Sequence, residues 1–127
     1  MSWDIVLFNS SEKISSPEEI DETKLIPVDF YNAFNRHFKN IRQKDNHCSI
    51  NEDNFSIDFF WHNESESNMI LNLYGEAALF PIIDLALKNN WQIFDTGLGE
   101  MIDLENPAKN GYENFQAYLN QIINNKN

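Results

Sequence analysis

Residues 69–104, MILNLYGEAALFPIIDLALKNNWQIFDTGLGEMIDL, hold the densest run of large apolar side chains in the chain and leave it few ways to fold. Met69, Ile70, Leu71, Leu73 and Tyr74 make a short apolar run, and Gly75 closes it after six residues, which favours a strand over a helix. From Ala77 the period changes. Ala78, Leu79, Ile82, Ile83, Leu85, Ala86 and Leu87 recur at spacings of three and four, the mark of a helix with a wide apolar face. Pro81 falls near its beginning, where a missing N–H costs little, and Asn89-Asn90 supplies a residue type that tolerates the left-handed cap. Residues 91–95 read as a strand, 96–99 as a Gly-containing turn and 100–104 as a returning strand, together a β-hairpin.

The remaining elements follow from pattern. Residues 2–8 (SWDIVLF) form an opening strand. Ser16-Pro17-Glu18-Glu19 is a helix-start signal, with Pro27 limiting the helix to a turn or two. Over residues 29–42, Phe30, Phe34, Phe38 and Ile41 form an aromatic stripe at helical spacing. Arg36, Lys39 and Arg42 lie on its other face, where basic residues suit the end of the helix dipole. Residues 47–50 allow a short strand, and 55–62 alternate well enough to pair with 68–74 as a hairpin. Tyr112, Phe115, Tyr118, Leu119, Ile122 and Ile123 predict a closing amphipathic helix. The order β, α, β, β, α, β, with an extra strand and a last helix, points to one α+β domain spanning 1–127. The economical arrangement is a ferredoxin-like α/β sandwich: a mainly antiparallel sheet, helices on one face, and a C-terminal hairpin strand and helix.

Charge is the strongest functional clue. The net charge is −11. Residues 1–44 hold seven acids against six bases, residues 45–108 hold twelve acids against Lys88 alone, and residues 109–127 hold one acid against two bases. Such a field repels nucleic acid and anionic lipid and attracts basic partners, although acidity also serves plain solubility. No stretch approaches the roughly 18 consecutive apolar residues of a membrane span, and the first residues lack the basic start of a secretory signal. The lone Cys48 forms no internal disulfide, which fits a reducing, cytoplasmic compartment.

The candidate chemistry is thin. Asp95 and Glu100 face each other across the mouth of the last hairpin, with Asp103 and Glu105 close behind; opposed like charges are costly unless compensated. Solvation, a basic protein partner or a divalent metal would each compensate. Glu64 and Glu66 add acids to the loop after the 55–62 strand. The calcium-loop spacing is absent, since Gly97 and Gly99 occupy positions that need oxygen donors. His47 and Cys48 point to opposite faces of a strand and do not share an ion readily. There is no nucleophile elbow and no complete dinucleotide fingerprint, so no cofactor is expected.

The segment LYGEAALFPIIDLALKNNWQIFDTGLGEMIDLENP, with its Trp91-Gln92-Ile93-Phe94-Asp95-Thr96-Gly97 strand and Met101-Ile102-Asp103 return, resembles passages in small bacterial α+β proteins of unknown activity. Some acidic proteins of this size and style are immunity proteins encoded beside polymorphic toxins. The resemblance implies a structural likeness over the last half of the chain and carries over no functional residue. The leading expectation is a non-catalytic acidic binding module that neutralises a basic toxin domain through Glu64, Glu66, Asp95, Glu100, Asp103 and Glu105. Trp61 and Trp91 are candidate anchors, though core positions suit both better. A metal-dependent hydrolase using Asp95, Glu100 and Asp103 is the second reading. A small ligand-sensing domain with a pocket beside Phe34 and Phe38 is the third.

Overall fold

A computed structural model describes residues 2–14, 16–61 and 66–106. Seven antiparallel strands form one sheet: β1 (Ser2–Phe8), β2 (Ile41–Lys44), β3 (His47–Asn51), β4 (Ser56–Phe60), β5 (Asn68–Tyr74), β6 (Gln92–Asp95) and β7 (Glu100–Met101). Their spatial order is β2-β3-β4-β5-β1-β6-β7. Two α-helices accompany them, α1 (Phe30–His37) and α2 (Leu79–Asn89). The chain is thus α+β, as its patterning predicts. The closing helix expected over 110–123, and Glu64 with it, lie outside the described residues.

Period-two alternation decides which face of the sheet is dry. Ile5 and Leu7 of β1 pair with Leu71 and Met69 of β5, Leu73 pairs with Ile57, and Ile50 pairs with Ile57 across β3 and β4. These side chains share one face, and all but Met69 are fully buried. The helices close over that face with Phe30, Ala33 and Phe34 from α1 and Leu79, Ile82, Ile83, Leu85 and Ala86 from α2. Each large apolar side chain among them contributes about 1.5–3 kcal/mol on leaving water. Gly75 ends β5 for a steric reason: its φ is +95°, and a Cβ there would lie 3.0 Å from the Asn54 carbonyl oxygen.

Local signals explain the ends of the helices. Asp29 caps α1, its Oδ1 accepting the Asn32 backbone N–H at 3.0 Å, which satisfies one of the free donors of a helix start. Asn90 ends α2 in the left-handed conformation, φ 60° and ψ 35°, as the Asn89-Asn90 pair predicts.

Two expectations require correction, and one is met in 3₁₀ form. The Ser16-Pro17-Glu18-Glu19 signal produces the turn or two expected, as a 3₁₀ turn over Pro17–Glu19 followed by another over Glu22–Lys24. Glu18, Glu19 and Ile20 are exposed, so there is no apolar stripe to pack and prolong a nucleus that is costly alone. The helix expected over 29–42 stops at His37. Phe38 is already extended at φ −111° and ψ 133°, and Ile41–Lys44 forms edge strand β2. Asp45, at φ 55°, turns the chain into β3, because Asp tolerates a left-handed turn. The returning strand over 100–104 is shorter than its pattern, with only Glu100 and Met101 in the ladder.

Candidate functional site

The register places charge unevenly along the sheet. At one edge β2 exposes Arg42 and Lys44, with exposed Lys39 just before it. At the other, β7 begins with exposed Glu100, and Asp103 and Glu105 follow it. Leu98, 48% exposed, stands at the hairpin tip between β6 and β7.

Asp95 holds this acidic edge in shape. It is the buried acid among the described residues, 1% exposed. Its Oδ1 accepts the backbone N–H of Gly97 at 2.9 Å and of Leu98 at 3.2 Å. Its backbone oxygen accepts the Gly99 N–H at 2.8 Å. Asp95 and Glu100 are direct cross-strand partners, as the hairpin reading requires, but their carboxylates do not oppose each other in solvent. One is turned into the loop and the other is exposed. Asp103 acts similarly one turn later, where its Oδ1 accepts the N–H groups of Glu105 and Asn106, each at 3.1 Å.

A cavity of about 490 Å³ adjoins this edge. Its walls come from residues 10–14, the end of α2 at Ala86 and Leu87, Trp91 and Gln92, and residues 101–105. Gln92 ties the first wall to the sheet, with Oε1 accepting the Ile14 N–H at 2.8 Å and Nε2 donating to the Glu12 carbonyl at 2.9 Å. The wall chemistry is mixed: Glu12, Asp103 and Glu105 beside Leu87, Trp91 and Leu104. Residues 10–14 read as a polar loop in the sequence, and no local pattern marks them as part of a site.

The other candidate residues are dispersed. Glu66 sits in an isolated bridge with Val28, beside the Asn68 end of β5. Asp95 and Glu100 lie level with Ile5 and Leu71, halfway along the sheet, and Glu100 is three strands across from β5. Glu66 therefore stands apart from Glu100, while the chain carrying Asp103 and Glu105 runs back alongside β6 toward its Gln92 end. Among the described residues, no group of three His, Cys, Asp or Glu side chains is placed to hold a metal ion. His47 and Cys48 do point to opposite faces: Cys48 is buried, with its thiol pushed up by burial. His47 is exposed, with Nε2 3.7 Å from Asp58 Oδ1. Trp91 is core, edge-on to Phe30 at 4.7 Å, whereas Trp61 is half-buried and stacks on Tyr31 at 4.3 Å. The aromatic stripe of α1 is also core, with Phe30 and Phe34 2% and 0% exposed. Phe38 borders a groove of about 340 Å³, shared with His37, Glu52, Asp53, Asn54, Phe55 and Pro81.

His37 gives the helix layer a pH response. Burial holds its imidazole below the ordinary histidine value; Asp84 pulls the other way, and Lys88 adds to the lowering. Asp84 Oδ2 lies 3.7 Å from His37 Nε2 and 3.2 Å from Lys88 Nζ. The unfolded chain therefore takes up this proton at a higher pH than the folded one. The His37 contribution is intact above the unfolded value and is lost as pH falls from there through the folded value. Denaturation midpoints of wild type should drop between about pH 7 and pH 5 relative to those of His37→Gln, and parallel curves would exclude this role.

Comparison of the chain with family models, with curated proteins and with solved structures gives no match. No described helix is long and apolar enough to cross a membrane.

Proposed function

We propose that this chain is a non-catalytic, acidic protein-binding module of the immunity type, acting in the cytoplasm to neutralise a basic partner such as a toxin domain. The observation that carries the reading is the separation of charge across the sheet: Arg42 and Lys44 at the β2 edge, and Glu100, Asp103 and Glu105 at the β7 edge. A one-signed edge steers a partner of the opposite sign and rejects like-charged ones. Glu100, Asp103 and Glu105 are the contact residues in this reading, while Asp95, inside the turn, positions Glu100. The adjoining cavity offers a seat for a partner side chain.

We also read the core as ferredoxin-like. The order β4-β5-β1-β6, with α1 following β1 and α2 joining β5 to β6, supports this. The β2–β3 hairpin and β7 are additions at the edges.

Immobilised full-length chain should capture the product of the adjacent gene at low salt and release it as salt rises. Reversing Glu100, Asp103 and Glu105 together to lysine should weaken capture by about tenfold or more. A partner held equally well at high salt, or equally well by the triple variant, would sink the proposal.

A further inference from the structure

The face of the sheet turned away from α1 and α2 carries a row of apolar side chains at one level. Val6 of β1 pairs with Ile70 of β5 on one side and with Phe94 of β6 on the other, and Phe94 pairs with Met101 of β7. Two residues above the Asp58–Asn72 pair, Phe60 of β4 stands level with Ile70. Phe60 and Ile70 are 56% and 60% exposed, and Val6, Phe94 and Met101 are half-buried. From β4 to β7 the row spans about 19 Å at the usual strand spacing of about 4.8 Å. Asp4, Asp58 and Asn72 border it on one side. On the other, residues 12–14, held by Gln92, form a ledge.

The charge on this face differs from that of the whole molecule. Its described ionisable side chains are Arg42, Lys44 and His47 toward the β2 edge and Asp58 and Asp4 further in. Two fixed bases thus meet two acids on a chain of net charge −11. Two copies meeting through this surface therefore escape the repulsion of their net charges at the contact itself.

Its symmetry names the occupant. β5 is the central strand of the seven. A twofold axis along β5 lays the apolar row of one copy on the row of the other. Ile70 then meets Ile70, Phe60 meets Val6, and His47 meets Phe94. The same axis lays β2 of each copy, with Lys44, over β7 of its mate, with Met101, whereas Glu100, paired with Asp95, belongs to the other face. A twofold contact requires such self-complementarity, and aligned sheet-on-sheet packing supplies the geometry. The footprint, roughly 30 by 20 Å from strand spacing and rise, is on the order of the 800 Å² per partner that a stable interface buries. We infer that the open face of the sheet docks a second copy of this chain, giving a twofold dimer stacked through Phe60, Ile70, Val6 and Phe94.

Light scattering after size-exclusion chromatography on the full-length chain should report a dimer at micromolar concentration and above. Ile70→Lys, at an exposed position, should keep the circular-dichroism spectrum and raise the dissociation constant at least about tenfold, since two ammonium groups then meet on the axis. Ile70→Cys should be joined to its mate by a short bis-maleimide, whereas Leu98→Cys, at the hairpin tip, should not. A wild-type monomer at high concentration overturns the inference. In that monomer, slow labelling of the thiol introduced by Ile70→Cys would mean that the chain's own residues beyond Asn106 cover the face, and fast labelling that nothing does. A dimer that Ile70→Lys leaves intact, or in which the two introduced thiols cross-link equally, also overturns it. Capture of a basic partner is a separate measurement that weakens with salt, whereas the apolar contact persists, so either proposal can fail without the other.

Discussion

Phe34→Ala is expected to destabilise the protein by about 3–5 kcal/mol, enough to unfold many domains of this size at ordinary temperature. Phe34 has no exposed surface, and its ring lies 4.8 Å from that of Phe59 on β4 and 5.8 Å from that of Phe38. Truncation leaves a hole under α1 that the surrounding β-sheet cannot collapse to fill. Phe34→Leu keeps most of the volume and should cost less than half as much. Urea titration of both variants measures the difference. If Phe34→Ala unfolds at the wild-type midpoint, the ring lines a loose pocket, and the ligand-sensing reading of α1 regains its footing.

The second large effect belongs to Asp95. Asp95→Ala should lose about 2–3 kcal/mol, because two backbone N–H groups lose a charged acceptor in a part-buried turn. Asp95→Asn retains an acceptor oxygen and should lose roughly half of that. The functional signature is distinct from that of a contact residue. Asp95→Ala loosens the hairpin and lowers stability and partner capture together. Glu100→Lys should lower capture while leaving stability within about 0.5 kcal/mol of wild type. Equal stability losses for the two would remove the division between a carboxylate that shapes the edge and one that presents it.

Much of the architecture was legible because period and punctuation agreed. Gly75, Asn90 and the 96–99 turn mark breaks that the structure keeps, and alternation in 55–60 identifies the buried Ile57 and Phe59 of β4, whereas the unbroken apolar run 5–8 suggests burial throughout and hides that Val6 is half-buried on the other face of β1. The pattern of 29–42 overstates the helix because Phe30, Phe34, Phe38 and Ile41 satisfy a helical period through to the end. The decisive information lies outside it, in the turn at Asp45 and in a β3 strand waiting for an edge partner. Charge was legible in amount but not in place. Primary order groups Glu66 with the hairpin acids, whereas the strand order sets Glu66, beside β5, three strands across from Glu100 on β7. The exposed row was hidden for a similar reason. In MILNLY, Ile70 is indistinguishable from Met69 and Leu71 until strand pairing assigns it to the other face.

The position of β1 between β5 and β6 bears on how the protein is made. Phe8 meets Asn68 and Gln92 only after most of the polypeptide exists. A growing chain on the ribosome can close the β2-β3-β4-β5 meander early, through contacts close in sequence, while the first strand waits. Bringing such distant segments together is slow, and the waiting strand keeps Ile5, Val6, Leu7 and Phe8 open to mispairing. Nascent-chain stalling before Asp95 has left the exit tunnel should therefore leave the amino-terminal strand accessible to protease, with protection arriving in one late step.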